Sequence, residues 1–423
     1  MNAPPDAAQL TRAHAALNAR TPGTRAFWFY DLDAVRARAT ELKHHLKALS
    51  PRLSYALKAN GLPAIARALH EEGLGADAGS VGELELALAC GFPAGARTLS
   101  GNGRTPEEAA WVARHGVEAV SADSPGELDL LEREMARANV RTRVALRVNP
   151  GIVAGGHRGI ETGHSATKFG MSARQALDAW RARARWPHLD LDGVHVHVGS
   201  QVADAAPYVA AARLSLELVA TCEREGHGIS SVNLGGGFAV PHAAGERGLA
   251  FSDIADGIRA LPGAARARWC FEPGRWLVAS AGTLVAEVLW DKRRDDDVEQ
   301  GGEHRFVVLA AGMNDLLRPA LYGAHHRIEP LAPREGLVTP ADVVGPVCES
   351  SDRFAHALPL PRLATGDLVA IRDAGAYGAA MSSHYNGRPR LAELVHERDG
   401  LRIARAAGAV ADAREPGEPP LAW

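Results

Sequence analysis

The chain has 423 residues, 46% of them hydrophobic and 23% charged, with a formal net charge of -3. That length exceeds one small domain and suits a barrel of roughly 250 residues with an appendage, while the near balance of charge excludes a nucleic-acid-binding or membrane-surface footprint. No uninterrupted apolar stretch reaches the roughly 18 residues that a spanning helix needs, and residues 1–16 lack the basic-then-apolar order of a secretory leader. A cytoplasmic protein with no membrane partner is therefore expected.

From residue 53 the chain alternates short apolar runs with amphipathic stretches. Residues 53–57 read as a strand, 62–72 as a helix, 75–78 as a strand and 82–90 as a helix. Strand 97–100, helix 105–115, strand 118–122, helix 125–138 and strand 143–148 continue the pattern, followed by helix 171–184, strand 193–198 and helix 205–226. Strands 231–234 and 269–271 close the series, and several helices open on a Ser, Thr, Asp or Pro start signal. Eight strands alternating with helices predict a (β/α)8 TIM-type barrel, with an open doubly wound sheet as the alternative.

Beyond residue 280 the pattern changes to short alternating runs, 283–290, 305–309, 342–347 and 367–372, between glycine and proline turns. The expected organisation is a barrel over 27–275, a mostly β domain from 276–408 joined by 1–26, and a loose tail over 409–423. Lys292-Arg293-Arg294 followed by Asp295-Asp296-Asp297 reads as a solvated loop. Cys90, Cys222, Cys270 and Cys348 are far apart and form no Cys/His ligand cluster, so reduced thiols and no metal site are expected. Three of these cysteines lie in apolar surroundings, whereas Cys348 adjoins an acid and polar residues.

Barrel enzymes build their sites at the C-terminal ends of strands, and the polar residues of this chain fall there. Lys58 follows the first strand, Asp77 and Ser80 the second, Asn102 the third and Asn149 the fifth. His197-Val198-Gly199-Ser200-Gln201 closes the sixth, Gly235-Gly236-Gly237 follows the seventh, and Glu272-Pro273-Gly274-Arg275 follows the eighth.

Taken singly, each has a plain structural reading. Lys58 could be a surface lysine, His197 a packed core histidine, and Glu272 the ion-pair partner of Arg275. Together they fit one ligand. An amine at a strand lip can form an imine with an aldehyde, and a triple glycine lets backbone amides approach a phosphate. That glycine run lacks both the dinucleotide and the nucleotide P-loop spacing, which favours a compact monophosphate. A flat imidazole can lie against a flat ring, and an acid opposite a pyridine nitrogen keeps it protonated, which strengthens the ring as an electron sink. These are the parts of a pyridoxal 5'-phosphate site.

Seven motifs carry a resemblance. They are Tyr55-Ala56-Leu57-Lys58-Ala59-Asn60, His195-Val196-His197-Val198-Gly199-Ser200-Gln201, Gly235-Gly236-Gly237-Phe238, Glu272-Pro273-Gly274-Arg275, Gly312-Met313-Asn314-Asp315-Leu316-Leu317-Arg318-Pro319-Ala320-Leu321-Tyr322, Cys348-Glu349-Ser350-Ser351-Asp352 and Asp373-Ala374-Gly375-Ala376-Tyr377-Gly378. In order over residues 25–395, they resemble the diaminopimelate decarboxylases, which are alanine-racemase-like pyridoxal-phosphate enzymes.

The resemblance implies a barrel with a C-terminal β domain and removal of carbon dioxide from the D-centre of meso-diaminopimelate to give L-lysine. It implies that Lys58 is the Schiff-base lysine, that His197 stacks on the ring, and that Glu272 faces the pyridine nitrogen. Ser200, Gly235, Gly236, Gly237, Pro273, Gly274, Arg275 and Tyr377 would border the cofactor. Arg275, Arg318, Tyr322, Glu349 and Tyr377 would hold the substrate, and Cys348 would be the proton donor. It further implies a homodimer with shared active sites, the Cys348-Glu349 segment reaching into the neighbour's site.

One departure is Leu309-Ala310-Ala311-Gly312, where the family commonly carries an aspartate before the Gly-Met step; it leaves Arg318 and Tyr322 intact. The loop over 154–159 also varies. Two rival readings remain: a related decarboxylase acting on D-ornithine, D-lysine or a carboxynorspermidine-type substrate, and a non-catalytic cofactor-binding homologue.

Overall fold

The computed structural model describes residues 5–152, 168–241, 248–294, 304–332, 334–398 and 400–409. The 154–159 loop, Asp295-Asp296-Asp297 and the tail from residue 410 onward lie outside the described residues. The chain forms two compact units, one built on Ala34–Ala279 and the other on Ala3–Asp33 with Ser280–Trp423. Strand β1 (Ala26–Asp31) belongs to the second.

The first unit is a closed barrel of eight parallel strands. In chain order these are β2 (Arg52–Ala56), β3 (Gly75–Ala78), β4 (Arg97–Leu99), β5 (Ala119–Ala122), β6 (Thr142–Arg147), β7 (Leu189–His195), β8 (Ser231–Asn233) and β9 (Arg268–Phe271). Closure comes from β2 pairing with β9, Arg52 opposite Cys270 and Leu53 opposite Phe271, which rules out the open sheet.

Helices Pro63–Glu71, Val81–Ala89, Pro106–His115, Pro125–Ala138, Ala173–Arg181, Ala206–Arg224 and Phe251–Arg259 follow successive strands. Four of them start where a hydroxyl satisfies an otherwise unpaired backbone N–H: Ser80, Thr105, Ser124 and Ser172 accept from the amides of Glu83, Glu108, Glu127 and Gln175. On Pro63–Glu71 the buried Ala64, Ile65, Ala68 and Leu69 recur at helical spacing. Burial of each larger side chain contributes roughly 1.5–3 kcal/mol.

Seven of the barrel strands match the sequence reading to within one residue at either end, and one departs further. The strand expected over 193–198 starts earlier, at Leu189, and ends at His195. The reason is its neighbour: β8 is only three residues long, and its ladder with β7 runs out at His195 opposite Asn233. Asp77 lies within β3 rather than after it.

The second unit is a nine-stranded sheet. Its remaining strands are β10 (Gly282–Arg294), β11 (His304–Leu309), β12 (Ile328–Pro330), β13 (Thr339–Val344), β14 (Arg353–Leu360), β15 (Leu368–Ile371), β16 (Ala392–Glu397) and β17 (Gly400–Arg405). The order β14-β13-β11-β10-β1-β16-β17 puts the N-terminal β1 inside the sheet, between β10 and β16, with β15 joining β10 to β12. Lys292, Arg293 and Arg294 finish β10 and pair with β11, so they are strand residues and not the loop expected.

One face of this sheet is covered by helix Ala7–Arg20, whose Leu10, Ala13 and Leu17 pack with Phe27, Phe29, Val285, Ala370 and Leu394. Arg305 is buried, and its guanidinium meets both oxygens of the equally buried Asp291 at 3.0 and 2.7 Å. Bidentate geometry of this kind offsets the cost of desolvating two charges.

Candidate active site

In the barrel unit, β2 ends at Ala56 and a single 3-10 turn, Leu57–Ala59, carries Lys58. Leu57 and Ala59 are fully buried and anchor the turn, while the Lys58 side chain is exposed. The turn is seated on the end of β9: the Ala56 amide donates to the Pro273 carbonyl at 3.0 Å. A Cβ on Gly274 would stand 3.1 Å from the Cβ of Ala59. Glycine at 274 therefore lets the Glu272-Pro273-Gly274 segment sit flush against the lysine's strand.

The triple glycine is required by packing on every side. Gly235 and Gly237 adopt φ +65° and +84°, a region that side chains disfavour. A Cβ on Gly235 would fall 2.2 Å from Nδ1 of His197, one on Gly236 2.1 Å from the Glu272 carbonyl, and one on Gly237 2.0 Å from the Gly199 carbonyl. Asn233 Oδ1 accepts from the Gly235 amide at 2.9 Å, and the Tyr208 hydroxyl donates to the Gly236 carbonyl at 3.0 Å. Arg275 donates to the Ser200 hydroxyl at 3.1 Å. A glycine turn, a hydroxyl and a guanidinium make a donor set that suits a phosphate.

His197 lies two residues past the end of β7 and is half-buried. Burial, then the Lys58 and Arg147 charges, push its pKa well below the usual histidine value, so the ring is neutral. The Gly236 amide donates to its Nδ1 at 3.3 Å, which assigns the proton to Nε2. A neutral, fixed imidazole is a suitable face for an aromatic ring.

Glu272 is held by groups at the ends of three strands. Its Oε1 accepts from the Ser100 hydroxyl at 3.0 Å and from Asn233 Nδ2 at 2.6 Å, and its Oε2 lies 3.5 Å from Nε2 of His195. His195 is in turn tied through Nδ1 to the Ser121 hydroxyl at 2.7 Å. These partners hold the Glu272 carboxylate, whereas Arg275 donates to Ser200. Ser100, Asn233, Ser121 and the role of His195 were missed in the sequence. The available signal was polar residues inside otherwise apolar barrel strands.

Asp77 is buried beside this carboxylate. Burial first, then Glu272, raise its pKa to about 7, against the opposing charge of Lys58. An unfolded aspartate ionises near 3.8, so between these values the folded state keeps a proton that the unfolded chain has lost. Stability therefore falls as pH rises through that window, and the full cost applies above it. Asp77→Asn is expected to melt above the parent at pH 8, by on the order of a few kcal/mol at most, and level with it near pH 4. Thermal melts at both pH values decide this, and an offset that does not change with pH would refute it.

In the β unit, Arg318 opens the short helix Arg318–Tyr322 and is buried, its Nη1 3.1 Å from Nε2 of His326. His326 Nδ1 donates to the Arg372 carbonyl at 2.9 Å, so Nε2 is left to accept from Arg318. Tyr322 and Tyr377 are half-buried, and Tyr377 holds a left-handed φ of +57°. For a bulky residue that conformation is strained, and strain of this kind clusters at functional sites. Ala310, where the sequence departs from the family, is buried, and its carbonyl accepts from Arg388 at 3.4 Å.

Cys348 and Glu349 are exposed on the loop after β13. The Cys348 amide donates to Asn386 Oδ1 at 2.8 Å, and the Tyr385 hydroxyl lies 3.4 Å from Glu349 Oε1. Cys90 and Cys222 are buried, and burial lifts the thiols of Cys222 and Cys270 to about 11, so both stay protonated. Each unit thus gathers its own set: Lys58, His197, Ser200, Gly235 to Gly237 and Glu272 to Arg275 in the barrel, and Arg318, Tyr322, Cys348, Glu349 and Tyr377 in the β unit.

Residues 32–279 match the family described as pyridoxal-dependent decarboxylase, pyridoxal binding domain. A diaminopimelate decarboxylase from Zymomonas mobilis is 37% identical over 85% of this chain and 84% of its own length. The crystal structure of diaminopimelate decarboxylase from Helicobacter pylori complexed with L-lysine is 34% identical, covers 94% of this chain and 98% of that one, and superposes with a TM-score of 0.87. The M. jannaschii diaminopimelate decarboxylase in complex with L-lysine gives 31% identity, 94% and 93% coverage, and a TM-score of 0.85. The barrel, the lysine at its mouth and these likenesses agree: the chain belongs to the diaminopimelate decarboxylase family of pyridoxal-dependent decarboxylases.

Proposed function

We propose that the chain decarboxylates meso-2,6-diaminopimelate at its D-centre to L-lysine and carbon dioxide, with pyridoxal 5'-phosphate held by the barrel residues. The observation that carries this reading is the convergence of Lys58, the Gly235-Gly236-Gly237 cradle, neutral His197 and the three-point-fixed Glu272 at neighbouring strand ends. When bound, the cofactor supplies an electron sink for the pair left behind by the departing carboxylate.

The chain's own residues then have distinct tasks. Lys58 Nζ would hold the cofactor covalently at the end of its strand. Ser200, Arg275, the three glycines, Pro273, Gly274 and Tyr377 would border the cofactor, His197 would offer it a ring face, and Glu272 would keep its ring nitrogen protonated. Arg318 grips a carboxylate bidentately where a lysine could not, with Arg275, Tyr322 and Tyr377 beside it. Glu349 pairs with an ammonium group, so the distal amino-acid end of the substrate is read by both its charges. Cys348 Sγ delivers the proton that completes turnover.

The protein works as a homodimer in which the exposed Cys348-Glu349 segment of one copy completes the barrel mouth of the other. Exposure of Cys348, Glu349 and Ser350 supports that reading.

A panel of diaminopimelate isomers, D-ornithine, D-lysine, L-lysine and L-ornithine, read by carbon dioxide release, tests the function. The meso isomer should be used best. L-lysine and L-ornithine should be roughly 10⁴-fold poorer in kcat/KM, because the buried groups built for the missing carboxylate stay unpaired. Bound cofactor with no release from the meso isomer, or preference for D-ornithine, would refute the assignment.

A further inference from the structure

The loop that carries Cys348 and Glu349 is braced from two sides by groups that have no task in the reaction outlined above. Asp352 is 3% exposed. Its Oδ1 accepts from the Met313 amide and its Oδ2 from the Val347 amide, both at 2.7 Å. Its backbone closes the same loop, with its amide donating to the Glu349 carbonyl and its carbonyl accepting from the Gly345 amide, each at 3.1 Å. Room for that carboxylate is made by two glycines: a Cβ on Gly345 would stand 2.4 Å from Oδ2, and one on Gly312 3.1 Å from it. On the other side Asn386, itself exposed, accepts from the Cys348 amide at 2.8 Å. The Asn386 loop is tied to the same turn as Asp352, since the Ser383 amide donates to the Asn314 carbonyl at 2.8 Å.

We propose that Asp352 and Asn386 are positioning residues for decarboxylation, which fix the peptide of Cys348 and Glu349 so that the thiol and the carboxylate meet the substrate in register. The inference rests on the reading of Cys348 as proton donor and Glu349 as ammonium partner. Both acting side chains stand on an exposed loop with little packing of their own, so their placement depends on the backbone beneath them. A misplacement of about 1 Å at a reacting group costs on the order of 10²-fold in rate. Asp352 restrains the residue before Cys348 and the carbonyl of Glu349, and Asn386 restrains the amide between them. Asn386 adopts φ +57°, a conformation that asparagine and aspartate tolerate best among residues with side chains. An acceptor can therefore be kept or removed there without disturbing the backbone: aspartate keeps it and glycine removes it.

The test uses the full-length holoenzyme. Asn386→Gly is expected to lower kcat on meso-diaminopimelate about 10-fold and Asp352→Asn about 10²-fold, since an amide oxygen accepts at only one of the two N–H groups. Bound-cofactor absorbance should stay unchanged in both. The rate at which iodoacetamide alkylates Cys348, followed on its peptide, should change roughly three-fold or more. Asn386→Asp should restore both readouts to within about two-fold of the parent. If Asp352→Asn fails to fold, Asn386→Gly and its aspartate counterpart decide alone. Parent-like kcat and alkylation in Asn386→Gly would overturn the proposal. Cys348→Ala separates the two levels: undiminished kcat there overturns the reading of the thiol and the proposal with it, whereas a fall in Cys348→Ala with none in Asn386→Gly overturns the brace alone.

Discussion

Lys58→Ala is expected to lower kcat on meso-diaminopimelate by at least about 10³-fold, in the range reached when a covalent catalyst is removed. The near-visible absorbance of the lysine-linked cofactor should disappear with it. The fold should survive the substitution, because the Lys58 side chain is exposed and the turn is anchored by Leu57 and Ala59, both fully buried. Exposed substitutions usually change stability by within about 0.5 kcal/mol, so the melting temperature of the cofactor-free protein should hardly move. Charge adds an independent readout. Lys58 opposes the rise in the Asp77 pKa, so its loss should push that group further up and extend to higher pH the upper end of the window in which stability declines. Turnover that survives Lys58→Ala would remove the catalytic assignment of this residue.

Glu272→Gln is expected to reduce kcat by about 10²- to 10³-fold, the scale found when one preorganised electrostatic group is removed. Two effects act together. A neutral amide holds a pyridine N–H less strongly than a carboxylate does, which weakens the electron sink. The amide also disrupts its own support. Oε1 accepts from Ser100 and Asn233, and Oε2 faces His195, so an NH2 group in place of Oε1 would confront the Asn233 donor. Leaving a buried donor unmatched costs about 1–3 kcal/mol. The variant should still bind cofactor, because the glycine turn, Ser200 and Arg275 are untouched. Glu272 is the second-largest cause of the raised Asp77 pKa, so that pKa should fall in the variant and the window in which stability declines should end at a lower pH than in the parent. Cofactor-loaded Glu272→Gln with kcat within about five-fold of the parent would show that this acid does not face the ring nitrogen.

Much of the architecture was legible because it is written in local pattern. Four of the barrel helices open on hydroxyl caps, at Ser80, Thr105, Ser124 and Ser172, and Gly75–Ala78 and Pro125–Ala138 were bounded to the residue. The rest was hidden where local signals compete with partners far away in sequence. The end of β7 is set by how short β8 is, which the apolar run 193–198 cannot reveal. Lys292-Arg293-Arg294 looks like a loop by charge and becomes strand because β11 offers a register for it. Ala26–Asp31 becomes an interior strand of the second sheet through pairing with β10 and β16, hundreds of residues away.

The candidate site divides in the same way. By itself the sequence determined which chemical groups stand at strand ends, Lys58, His197, Ser200, Gly235-Gly236-Gly237 and Glu272-Pro273-Gly274-Arg275, because residue type and strand period place them there. Only the tertiary structure decided what each group is doing: that Glu272 is steered by Ser100, Asn233 and His195, that Asp77 is buried against it, that each glycine of the triplet makes room for a different neighbour, and that Asp352 and Asn386 brace the Cys348 loop. The physical reason is one of range. Propensity and periodicity act within a few residues, whereas burial, hydrogen-bond direction and the field at a carboxylate arise from groups that only folding brings within a few ångströms.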